Sequence, residues 1–484
     1  MPILLPSFPR TRIATLGALV ATALLGLSAC AQLPSSAPLA QPHDETHYAT
    51  QRAFAAGESA WPIDAWWTRY GDAQLDALVA EALRASPDMA LASARLRQAE
   101  SNALIVGAAM QPQVSANASA TSQRQSYNYL VPQAQLPQGW NDYGQAAINF
   151  NWEIDFWGKN RAALAAATSA LAAQRAESAQ AQLLLTTSLV STYAELARLY
   201  AAQDTAEKAV DVRSRTAELF AERYRHGLET IGSVRQADAR RASAQADLLQ
   251  IGEQIGIVRN RLAALAGAGP DRGLAIERPR VALDRDFGLP PQLALDLLGR
   301  RPDIVAARWQ AQAQARRIDQ KEAEFYPNVN LAAFIGVQAL GLDRLHDQGS
   351  TFGSVGPAIS LPIFTGGRLR AELAGSRAAY DAAVASYDAT VTHALQEVAD
   401  AAVSLKSLGG QLAKTAESVD AAGDAHRVAR NRYEGGLANY VDVLTAEDAL
   451  LASRRVLSDL QSRAFTLDVA LTRALGGGYH AEAN

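Results

Sequence analysis

The stretch "RYEGGLANYVDVLTAEDAL", Arg432–Leu450, has a fainter copy in "RYRHGLETIGSVRQADARR", Arg223–Arg241. Each copy sets a Gly-Leu pair, Gly227-Leu228 or Gly436-Leu437, inside a long proline-free stretch of helical pattern. Glycine there suits the left-handed conformation that ends a helix, and Thr230 and Asn439 suit the N-cap of a returning one. Asp442 falls in the first turn after Asn439, where a carboxylate favours the helix dipole. The sequence predicts two helical hairpins, each folding back at one of these copies.

The segments leading into the turns, 158–225 and 366–433, are 68 residues each. At 1.5 Å per residue each makes a helix of roughly 100 Å. Leu189, Tyr193, Leu196 and Tyr200 step 4-3-4, and Ile251, Ile255, Val258, Leu262 and Leu265 step 4-3-4-3. Leu457, Leu460, Leu467 and Leu471 continue the pattern in the last helix. These are coiled-coil seams, and the many alanines among them allow close helix approach.

Other landmarks repeat in the same order. Pro87-Asp88 matches Pro302-Asp303, and Gln111–Ala120 matches Tyr326–Ile335, both at an offset of 215. Phe156-Trp157-Gly158 matches Phe364-Thr365-Gly366 at 208, and the hairpin turns match at 209. A tandem duplication of about 200 residues per unit is the reading. Each unit opens on a helical stretch (Glu81–Ala109 in the first) and then alternates with period two. The alternating runs are Pro112–Arg124 and Tyr143–Trp157, then Pro327–Ala339 and Phe352–Phe364. That is the pattern of strands tilted across an outer membrane, with Tyr143, Trp152, Phe156 and Trp157 placed for an aromatic girdle. Four strands cannot close a barrel, and open edges are not tolerated in lipid. Three chains would supply twelve strands; two chains would supply eight.

The N-terminus carries Arg10 and Arg12, an apolar run from Ile13 to Leu27, and then Leu27-Ser28-Ala29-Cys30. This is a secretory signal, too short for a membrane span. Cys30 is the one cysteine of the 484 residues and sits where a bacterial lipobox needs it; the alternative is an ordinary signal with a chance cysteine. Ala31, in place of a retaining Asp, directs the chain to the outer membrane. Loss of residues 1–29 takes the formal charge from −4 to −6, so nothing favours a nucleic-acid partner.

With the lipobox, "AWWTRYGDAQLDALVAEAL" (Ala65–Leu83), the paired Pro-Asp helices, "FWGKNRA", "PIFTGGRLRA" and the two turns, the mature chain resembles the TolC-like outer-membrane factors. The likeness is to their NodT-like lipoprotein branch. The resemblance implies an α+β membrane protein: a homotrimer with a twelve-stranded transmembrane β-barrel continued by a coiled-coil periplasmic tunnel. It implies an outer-membrane exit duct, passive, docked on a periplasmic adaptor protein and an inner-membrane transporter, and passing drugs or other small molecules. The only attached group it implies is diacylglycerol with an N-acyl chain such as palmitate on Cys30.

On this reading the chain divides into a lipoprotein signal peptide (1–29), a lipidated tether (30–60) and a first repeat (61–269; strands within about 112–157, hairpin 158–267). An equatorial linker (270–291), a second repeat (292–476; strands within about 327–364, hairpin 366–475) and a tail (477–484) complete it. The resemblance places a periplasmic gate at Asp442, as a ring of carboxylates, with Tyr433 as a latch tyrosine; facing this network from the first hairpin is Ser233, where the family pattern offers an acid. Thr445 and Ala438 depart from the acidic and basic residues the family pattern offers there. Gly227, Leu228, Gly436 and Leu437 match the tips offered to the adaptor.

An enzyme is not indicated. The histidines (43, 47, 226, 346, 393, 426, 480) are scattered, and only His43 and His47 have ligand-like spacing, in a tether expected to be solvated. No nucleophile elbow or phosphate loop is written. The rival readings are a lipid-anchored periplasmic helical scaffold without a pore, which leaves the alternating segments unexplained, and a channel for protein secretion.

Overall fold

The computed structural model describes residues 38–44, 47–50, 52–54, 59–128, 132–281, 290 and 293–481. The signal segment and Cys30 lie outside them, as does most of 282–292. The order of elements is a 3₁₀ turn (Trp66–Tyr70), α1 (Ala73–Ala85), α2 (Pro87–Ala108), β1 (Gln113–Gln123), β2 (Asn141–Ile154), α3 (Lys159–Arg225) and α4 (Ile231–Leu265). Then come α5 (Pro270–Leu274), α6 (Leu293–Arg300), α7 (Pro302–Ala323), β3 (Asn328–Leu340), β4 (Thr351–Ser360), α8 (Arg368–Glu434) and α9 (Tyr440–Ala474). Two compact units share these elements, and α2, α3, α7 and α8 contribute to both.

The helical stretch Glu81–Ala109 comprises the end of α1 and the whole of α2. Ser86 takes an extended backbone ahead of Pro87, which opens α2, because proline disfavours a helical residue before it and tolerates the first helical position.

The first unit holds one antiparallel sheet in the order β1-β2-β3-β4. Residues directly opposite share a face, so the register sorts the side chains. Val114, Phe150, Ala333 and Val355 run across all four strands, with Ile148, Ile335, Trp152, Leu331 and Ile359 beside them. Ser115, Asn117, Asn149, Asn151, Asn330 and Ser354 lie on the opposite face, where Asn149 donates to Asn117 at 2.5 Å. The apolar face is uncovered: Val114, Ile148, Ile335 and Val355 are 67%, 53%, 62% and 76% exposed.

The strands end earlier than the alternation suggests. β2 stops at Ile154 because the Asp155 carboxylate accepts from the N–H groups of Asn160 (3.1 Å) and Arg161 (2.9 Å), starting α3. β4 stops at Ser360, two residues before Pro362, which has no N–H for a ladder. Trp157 stacks on Tyr326 at 4.7 Å and donates its Nε1–H to the Pro327 carbonyl at 2.9 Å.

The second unit is helical. Its main core joins Trp66, Tyr70, Leu75 and Leu78 to the α3 seam residues Leu189, Tyr193 and Leu196, and to Ile255, Leu262, Ile276 and Phe465. The seams read in α3 and α4 fall on packed positions, whereas in α9 the core residues are Phe465 and Val469 rather than Leu457, Leu460 and Leu467. A second cluster sets Leu297 against Val398, Ala401 and Ala402 of α8 and Leu471 and Ala474 of α9. Beside it Arg301 binds Asp303 (2.6 Å) and Glu397 (2.7 Å), and Glu397 also meets Arg473. His43 and His47 are exposed and lie against α8. The two rings stack at 4.0 Å, and His43 Nδ1 lies 3.0 Å from the Asp388 carboxylate. Among the described residues no helix is long and apolar enough to cross a membrane, and no three metal-ligating side chains gather.

Candidate functional site: the paired hairpin turns

Both turns are built alike. Gly227 and Gly436 hold φ of +73° and +71°. The N–H of Leu228 bonds the Arg223 carbonyl at 2.8 Å and that of Leu437 bonds the Arg432 carbonyl at 2.8 Å. These are Schellman closures, which use the left-handed residue to satisfy orphan carbonyls of the incoming helix. The returning helices are capped as their sequences imply: Thr230 Oγ1 accepts from Ser233 N–H (3.2 Å) and Asn439 Oδ1 from Asp442 N–H (3.1 Å). Leu228 and Leu437 stand 65% and 75% exposed at the tips.

Tyr433 joins the two hairpins. Its hydroxyl donates to Glu229 Oε1 at 3.2 Å, and the Arg223 guanidinium covers its ring at 5.1 Å. Tyr433 packs edge-on to Tyr440 (5.1 Å), and Tyr440 packs on Phe220 (4.0 Å). Burial pushes the Tyr433 hydroxyl up, against the pull of Arg223, and pushes that of Tyr440 up to about 12. Both stay protonated at neutral pH.

Ser233 is not the residue that meets Tyr433. It occupies the first turn of α4, and its hydroxyl lies 3.1 Å from the cap hydroxyl of Thr230. The acid that accepts from the Tyr433 hydroxyl is Glu229, in the turn itself. Asp442 is exposed, and its carboxylate has no ion pair among the described residues.

Further along α9 is a set of residues that sequence reading missed. The Asp448 carboxylate binds Arg213 of α3 at 3.2 Å and Arg240 of α4 at 2.6 Å. Its neighbour Glu447 is 4% exposed, with Arg213 Nε 3.9 Å away. Burial raises the Glu447 carboxyl above the usual carboxylate range; Arg213 opposes this, Asp448 reinforces it and Arg240 opposes it. The "AED" after the second turn was the available signal, but its partners lie more than 200 residues away.

The arrangement joins the turns and the helices behind them by hydrogen bonds and ion pairs. It is a set of breakable polar ties between two helical hairpins, set beside a free carboxylate.

Known proteins share this architecture. The family described as "Outer membrane efflux protein" matches residues 78–268 and 293–477. The multidrug resistance outer membrane protein MdtP of Shigella flexneri is 34% identical over 431 residues, covering 87% of this chain and 88% of that protein. The fusaric acid resistance protein FusA of Burkholderia cepacia is 36% identical over 371 residues, covering 75% and 69%. The crystal structure of the outer membrane protein VceC of Vibrio cholerae superposes with a TM-score of 0.83 at 50% identity, covering 87% of this chain and all of that one. The chain therefore belongs to the outer membrane efflux protein family, the family that its turns and paired helices resemble.

Proposed function

We propose that this outer-membrane protein is the passive exit duct of a tripartite efflux system. It receives small molecules from an inner-membrane transporter through a periplasmic adaptor and releases them outside. The observation that carries the reading is the sheet: an uncovered apolar face, an opposite face of mostly polar side chains interrupted by the Phe334–Phe352 pair, and β1 and β4 each paired on one side only. An apolar face open to the surroundings suits lipid, and free edges call for further strands. A homotrimer closes the sheet as twelve strands, within the range that outer-membrane barrels use.

The duplication proposed from sequence is supported by element lengths. α2 and α7 have 22 residues each, α3 and α8 have 67, and α4 and α9 have 35. The domain boundaries set out above follow from it, with Cys30 lipidated as a second hold on the membrane. The names of MdtP and FusA, which speak of multidrug and fusaric acid resistance, favour drug-like organic molecules as cargo. The gate lies at the hairpin turns: Asp442 as an acidic ring, and Tyr433 with Glu229 as the latch. Gly227-Leu228 and Gly436-Leu437 present the tips to the adaptor.

Planar-bilayer conductance of the detergent-purified protein tests this. Small, stable steps blocked by a multivalent cation from one side are expected. A verified but silent incorporation, together with gel migration unchanged by heating, would remove the duct reading and leave a scaffold.

A further inference from the structure

The polar face of the sheet carries one aromatic pair. Phe334 of β3 and Phe352 of β4 stand diagonal to each other, since Phe334 lies opposite Ser354 and Phe352 opposite Gly336. Their ring centroids are 5.3 Å apart with the planes at 52°, and Phe334 is 37% exposed. Around them the face is largely amide and hydroxyl, with Asn149 directly opposite Phe334 and bonded to Asn117. Among the strand residues of this face the one charge is Glu153, which Lys159 pairs at 2.6 Å.

The strand itself does not call for the pair. The offset of 215 residues that relates β3 to β1 puts Ser119 of the first repeat at the place of Phe334. Ser119 lies opposite Gln145 on the same polar face, so a hydroxyl serves where the second repeat has a phenyl ring. Two rings on a face that lines water leave apolar area unburied, which costs free energy.

Closed as twelve strands, the sheet turns its apolar face to lipid and this one to the lumen. Eight-stranded barrels fill their interior with side chains, and twelve strands leave a wider one. Three copies then set three Phe334–Phe352 pairs at one height on a polar, nearly uncharged wall.

We propose that these pairs are a contact site for aromatic organic molecules passing through the barrel. The inference rests on the duct reading and names the cargo that the wall itself favours. Aromatic rings meet offset or edge to face, and a tilted pair presents both an edge and a face. The surroundings add little attraction or repulsion by charge, so ring contact decides. The site is also shallow, as conduction demands: cargo must bind well enough to enter and weakly enough to leave.

The test is Phe334→Leu/Phe352→Leu in the full-length lipoprotein, incorporated in planar bilayers. Two monovalent cations are added in turn to the side opposite the one from which a multivalent cation blocks. Tetraphenylphosphonium carries aromatic rings, and tetrabutylammonium carries alkyl chains. In the parent, current interruptions by tetraphenylphosphonium should outlast those by tetrabutylammonium. The leucine variant should shorten the first about fivefold and leave the second unchanged. Phe334→Tyr/Phe352→Tyr, which keeps both rings, should behave as the parent. Equal interruptions by the two cations in the parent, or no shortening in the leucine variant, would overturn the contact site alone. So would equal shortening for both cations, which would make the pair a matter of lumen width. Phe334→Ser, the residue of the first repeat, should also shorten the tetraphenylphosphonium interruptions and still run as a trimer on a gel. Loss of the trimer in both variants would make the pair a packing contact instead. A parent protein that never conducts overturns the duct reading itself.

Discussion

Tyr433 and Glu229 meet across 3.2 Å although 204 residues separate them, so the turn of one hairpin is bolted to the turn of the other. Replacing Tyr433 by Phe keeps the ring against Tyr440 and removes the bond. The expected loss is about 1 kcal/mol, read as more frequent openings in single-channel recordings with little change in thermal stability. An unchanged opening frequency would take Tyr433 out of the latch.

Asp448 ties α9 to both helices of the first hairpin through Arg213 and Arg240. Its side chain is 43% exposed, so solvent screens the pair and the coupling is about 1 kcal/mol or less. A double-mutant cycle of Asp448→Asn with Arg240→Gln should find that coupling, shrinking as salt rises. Additive single effects would show that the contact contributes nothing.

Glu447 has its carboxyl raised by burial. The stabilisation linked to a raised carboxyl is complete below the ordinary carboxylate value and fades as pH rises through the folded-state value. Glu447→Gln removes the buried charge and should unfold at a higher temperature than the parent at pH 7, the gap closing near pH 4. A gap independent of pH would assign the effect to packing.

Asp442 is exposed at the start of α9 without an ion pair among the described residues. Asp442→Ala should weaken block by multivalent cations several-fold, while the trimer on a gel stays intact. Cation sensitivity identical to the parent would place the acidic mouth elsewhere.

Cys30→Ser should abolish labelling by radioactive palmitate and leave membrane-extracted trimers, since the sheet's apolar face remains. A water-soluble monomer from this variant would make the lipid, rather than the sheet, the membrane anchor.

Local chemistry made much of this legible. Gly227 and Gly436 announce left-handed helix ends, Thr230 and Asn439 announce caps, and Val114, Ala116 and Ala118 alternate with Ser115, Asn117 and Ser119. Each signal needs only a few adjacent residues. The break at Ser86-Pro87 was readable in the same way but was overridden by a continuous Ala/Leu pattern. Glu229 and Asp448 were not legible, because an exposed-looking acid on a helix reads as a solvated face until its distant arginine or tyrosine is located. Ser233, read as facing the gate, keeps its hydroxyl 3.1 Å from the cap hydroxyl of Thr230.

The sheet with an uncovered apolar face and two one-sided edges also bears on how the protein is made. A lone newly exported protomer exposes an adhesive apolar face and two unpaired strand edges. Productive assembly consumes several such protomers at once, so its rate climbs steeply with chain concentration, as does that of aggregation. Yield should therefore peak at moderate expression and collapse when synthesis outruns delivery to the membrane.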